Sequence, residues 1–139
     1  MAEVPTYEGC EGNTDYLAPA DVASIIANFA AGDGYKLMLN LQWVMFERVT
    51  FPCDPFGPTR LRTDWDQRLT TYAQHAAGYY NSSNTAYAIV HSEVNNSPQV
   101  SQSDMVNTAK RVAELFPGIP RTAGYPTGPG TGPLPSLFP

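Results

Sequence analysis

KLMLNLQWVMFERVTF, residues 36–51, is the longest dense apolar run of this chain, bracketed by Gly34 before it and Pro52 after it. Any core must be built on it. Read as a strand, it puts Leu37, Leu39, Leu41, Trp43, Met45, Val49 and Phe51 on one face, with Glu47 as the lone exception. The other face carries Met38, Val44 and Phe46 among Asn40, Gln42, Arg48 and Thr50. Read as a helix, it gives a broad stripe of Leu41, Met45, Met38, Val49, Phe46 and Leu39, broken by Leu37, Gln42, Val44 and Phe51. Length favours the helix. The strict alternation from Leu37 to Trp43 and the β-rich ending Val49–Phe51 favour the strand, so one long, bent strand over 36–51 is expected.

Outward from this run, three amphipathic segments predict helices. Over 19–31, Pro19 suits the first helical position and Asp21 the positive end of the dipole, while Val22, Ile25, Ile26 and Phe29 line one face up to a C-cap at Gly32. Over 64–78, Thr63 is the expected cap, Asp64 and Asp66 lie in the first turn, and Trp65, Leu69, Tyr72 and Ala76 form the apolar face. Over 102–116, Ser101 and Asp104 have capping-box spacing, Met105, Ala109, Val112 and Phe116 face inward, and Pro117-Gly118 stops the helix. Residues 85–94 alternate and predict a second strand, whereas residues 52–63, with three prolines and a glycine, predict a loop. The expected class is α+β, three helices on a small sheet, with a mostly α bundle as the alternative. Residues 18–117 form the expected single domain. Residues 1–17 lack either period and 118–139 are rich in Pro and Gly, so both read as extended arms.

Composition bounds the function. Charged residues are only 15% of the chain, against about 25% in ordinary domains, so its surface is poorly protected from association. Net charge is −5, and residues 1–35 hold six acidic groups but no Lys or Arg. With no basic stripe, direct nucleic-acid binding is not expected. Arg60, Arg62 and Arg68 form a small cluster that reads as a solvated face or as a partner for an acidic arm. No apolar run reaches membrane-spanning length, and the first residues lack a signal peptide's basic and apolar regions. A virion location, if viral, or otherwise a cytoplasmic one is expected. Cys10 and Cys53 lie 43 positions apart and are a candidate disulfide, a pair of free thiols, or links to other subunits.

No catalytic motif stands out. Cys10, Cys53, His75 and His91 lack the close ligand pairs of a metal site, so no metal or cofactor is expected. Cys53 with His91 is the only thiol–base pairing worth naming. Asp64 and Asp66 point in different directions on a helix and fit helix-start stabilisation better than acid–base work. Gly32-Asp33-Gly34 reads as a turn, the GPGTGP stretch lacks a phosphate loop's lysine, and Asn81-Ser82-Ser83 is a formal glycosylation sequon. Eight tyrosines, low charge and long arms suit interfaces between subunits. The Ala/Asn/Thr/Pro-rich, lysine-poor composition resembles that of virion proteins in general. The expected function is therefore a non-enzymatic structural subunit of a large symmetric assembly: a phage or viral coat, decoration or head–tail joining protein. Its partners would be other copies of itself or other subunits. Trp43, Phe46, Tyr79, Tyr80, Tyr125, Leu134, Leu137 and Phe138 are the interface candidates. The runner-up is a small enzyme or ligand-binding domain with a pocket near Trp43, Trp65 and His91.

Overall fold

The computed structural model describes residues 2–4, 28, 32, 34, 36–49, 58–76, 79–92 and 97–123. In chain order the elements are β1 (Ala2–Val4), β2 (Leu37–Asn40), α1 (Gln42–Met45), β3 (Phe46–Arg48), β4 (Thr59–Leu61), α2 (Trp65–Ala76), β5 (Thr85–Ile89), α3 (Gln102–Leu115) and β6 (Arg121–Thr122). The class is α+β and not a helical bundle. Four strands form one sheet in the order β1-β2-β5-β6, with every pairing parallel. β3 and β4 make a separate antiparallel hairpin.

The run 36–51 does not stay one strand. It pairs in the sheet only from Leu37 to Asn40, turns helical over Gln42–Met45, and re-enters extended structure at Phe46. The cause is local. Asn40 Oδ1 accepts the Gln42 backbone N–H at 3.0 Å, the two-residue reach by which an Asn side chain competes with a strand ladder. The carbonyls freed by the helical turn are then met from a distance. Arg68 Nε donates to the Val44 carbonyl at 2.7 Å and Arg62 Nε to that of Phe46 at 3.1 Å. This corrects the solvated-face reading for two members of the arginine cluster: Arg62 and Arg68 are half-buried braces of the central run. Arg60, which is exposed, pairs with Glu47 across the hairpin.

α2 and α3 follow the expected faces: Leu69, Tyr72 and Ala76 are buried on one, and Met105, Ala109, Val112 and Phe116 on the other. Trp65 packs against the same core half-buried. Ser101 caps α3 with both capping-box hydrogen bonds present. The two helices touch through Tyr72 and Phe116, ring centres 6.5 Å apart, and through Arg111, which bridges to Asp66. They share one side of the sheet, where Leu37, Leu39, Ala88 and Val90 join the apolar core. Strand order follows chain order without reversal, and α2 and α3, which lie on the connections after β2 and β5, are on the same face.

β1 and β6 lie inside the stretches expected to be arms. Ala2–Val4 pairs with β2, Arg121–Thr122 pairs with β5, and Ile119 and Ala123 are buried. The folded unit therefore extends past residue 117. Of the expected helix 19–31, only Asn28 is described, and it is helical; Gly32 is helical too, and the left-handed position falls at Gly34 (φ +74) rather than at the expected cap. The strand expected over 85–94 pairs as far as Ile89; positions 93 and 94 lie outside the described residues. Among the described residues no helix is long and apolar enough to cross a membrane.

Candidate functional site

Eight polar side chains are buried among the described residues; Thr85, Thr108 and Thr122 lie within β5, α3 and β6, and the other five gather past the carboxyl ends of the parallel strands. Asn40 ends β2 and Gln42 follows two residues on; His91 and Ser92 leave β5; Thr59 opens β4, and Ser97 precedes α3. Asn40, Gln42, Thr59, His91 and Ser97 are all buried. Burying polar groups is costly unless they are hydrogen-bonded, so the partners decide what this cluster is for.

Two sub-networks account for most of it. In the first, Thr59 Oγ1 lies 2.6 Å from His91 Nε2 and 2.8 Å from Ser97 Oγ, while the Thr59 backbone N–H donates to Ser97 Oγ at 2.9 Å. One hydroxyl thus ties the β3–β4 hairpin to the chain leaving β5. The Phe46 ring closes the site, meeting the His91 imidazole edge-on at 4.7 Å. Burial first, and the Arg48 guanidinium second, push the His91 pKa down to about 4, so the ring is neutral at neutral pH. A hydroxyl against a histidine suggests a nucleophile–base pair. Thr59, however, is only 2% exposed, so its oxygen is closed to a substrate and the network acts as a clasp.

In the second sub-network, Gln42 Oε1 accepts both the backbone N–H and the hydroxyl of Ser92, at 3.0 and 2.7 Å. A backbone N–H can only donate, so the amide orientation is fixed: oxygen toward Ser92, nitrogen away. Among the described residues the Gln42 Nε2 group has no hydrogen-bond partner. Tyr80 Oη is the only fully buried side-chain polar atom left unpaired among the described residues, so Gln42 Nε2 reaches solvent.

The residues singled out from the sequence are distributed as follows. Phe46 is wholly buried and Tyr80 nearly so, which seals both within the chain rather than across an interface. Tyr80 lies before β5, at the opposite edge of the sheet, and burial pushes its pKa up to about 12. Trp43 is half-buried with the Arg48 guanidinium 4.6 Å above its ring, and Tyr79 is half-buried against the core. Of the expected trio Trp43, Trp65 and His91, only His91 belongs to the polar cluster; Trp65 starts α2 against the apolar core. His75 is half-buried near the end of α2. Asp66 bonds Thr70 and Arg111, while Asp64 is exposed. Cys10, Cys53, Tyr125, Leu134, Leu137 and Phe138 lie outside the described residues, as does any pairing of Cys53 with His91. No set of three His, Cys, Asp or Glu side chains among the described residues could hold a metal ion. Sequence reading overlooked Gln42, Thr59, Ser92 and Ser97. The available signal was the pair of polar positions, Asn40 and Gln42, interrupting the apolar run.

No protein-family model, no curated protein and no solved structure matches this chain.

Proposed function

We propose that this chain is a small-molecule-binding or catalytic domain whose site lies at the carboxyl edge of its parallel sheet. The observation that carries the reading is the clustering of Asn40, Gln42, His91 and Ser92 beyond the ends of β2 and β5. In parallel βα architectures the loops leaving the carboxyl ends hold the ligand, because the strands supply a rigid frame and the loops vary freely. Winding in one direction with helices on one face is the arrangement of (β/α) barrels, in which that edge carries the active site. Fold analogy raises the expectation; the argument itself rests on the site, where a buried amide offers an unpaired donor. The test is amide chemical-shift mapping of the full chain against a library of small polar compounds. Binders that shift Asn40, Gln42 and Ser92 support the reading. Binders that shift only the opposite edge, around Asn81–Thr85, refute it.

A structural subunit of a large assembly, virion or other, is the second reading. The low charge supports it, and so do the sheet edges: among the described residues neither β1 nor β6 is paired on its outer side. Such edges pair readily with neighbouring strands. Size-exclusion chromatography with light scattering separates the two. A large defined oligomer favours assembly, and a monodisperse monomer removes it.

A further inference from the structure

Resting on the carboxyl-edge reading, we infer that Gln42 is a ligand-anchoring residue whose Nε2 donates to an oxygen of an uncharged, hydroxyl-rich ligand. Three observations lead there. The side chain is 4% exposed, yet half of its amide is unused. Its orientation is set by Ser92, which occupies Oε1 through two hydrogen bonds and leaves the nitrogen turned away from it. A donor held this way gives up little rotamer freedom when a ligand arrives. Solvent meets this donor in the free protein, and a ligand oxygen that replaces it finds a donor already held in place.

The chemistry of the surroundings sets the ligand class. Among the described residues, those that flank the Gln42 amide, Asn40 and Ser92, are neutral donor–acceptor groups. Amides and hydroxyls match the alternating donors and acceptors of a polyhydroxy compound such as a saccharide. The Arg48 guanidinium, which also acts on His91, lies 4.6 Å from the Trp43 ring centre.

The experiment titrates the full chain with cellobiose, maltose and inositol, and separately with inorganic phosphate, following the Gln42 side-chain NH2 and backbone amides by NMR. Two variants accompany it. Gln42→Glu keeps an oxygen for Ser92 and replaces the donor by an acceptor; Gln42→Leu removes both. The expected result is that a neutral probe shifts the Gln42 NH2 resonances, and that Gln42→Glu, still folded, binds it about tenfold more weakly. Equal affinity in wild type and Gln42→Glu, with shifts at Asn40 and Ser92 persisting, overturns the role of Gln42 and leaves the carboxyl-edge reading in place. Phosphate shifting the Gln42 NH2 while the neutral probes do not overturns the ligand class. Silence of every carboxyl-edge resonance with all probes overturns both.

Discussion

Acidification should loosen this protein through His91, by an amount that follows from its surroundings. The imidazole is 1% exposed, pressed by Phe46 and bonded to Thr59. Its pKa is about 4 in the folded chain and 6.5 when free. Between those values the unfolded chain holds a proton that the native chain refuses, so stability rises with pH across that window. The contribution is complete above about pH 6.5, declines as pH falls toward 4, and is constant below. A shift of this size corresponds to about 3 kcal/mol at most, a large share of the stability of a domain this small. Urea unfolding of wild type and His91→Gln at intervals between pH 7.5 and 4 isolates it, because the carboxylates titrate in both proteins and cancel in the difference. The wild-type curve should fall more steeply, with the extra loss confined to that window. Parallel curves, or a His91 resonance titrating near 6.5 by NMR, would refute the account of a buried neutral ring.

Other substitutions probe the frame around the site. Thr59→Val should cost about 2–3 kcal/mol by leaving His91 and Ser97 each short of a partner, with Thr59→Ser recovering most of it in the same urea assay. Phe46→Ala should cost about 3–5 kcal/mol, since the ring is fully buried between the core and His91. Gly118→Ala should lower the melting temperature through a loss of about 1–2 kcal/mol, because Gly118 sits at φ +80 and a Cβ there would meet Ser82 Cβ at 3.2 Å.

What could be read from the sequence was whatever is encoded locally. The capping box at Ser101 and the inward face of Met105, Ala109, Val112 and Phe116 need only one helix to be recognised, and both are present. β1 and β6 are three and two residues long and gain their structure from neighbours far along the chain, so the Pro/Gly composition around them pointed to arms instead. The same limit hid the site. Gln42 and Ser92 lie fifty positions apart, and Thr59 and His91 thirty-two, so no spacing pattern announces either contact. In the run 36–51 the alternation was real from Leu37 to Asn40. It failed where the Asn40 side chain captured the next free backbone N–H and the arginines Arg62 and Arg68 accepted the consequence.

The central claim is that the carboxyl edge of the sheet, with Gln42 Nε2 at its base, is where this protein meets a ligand. A crystal of the full chain soaked with cellobiose, maltose or inositol tests it most directly. The account expects the compound bound beside Asn40 and Ser92 with an oxygen about 2.9 Å from Gln42 Nε2. Bound compound found only at the opposite edge of the sheet, with Gln42 Nε2 facing bulk water, would contradict it.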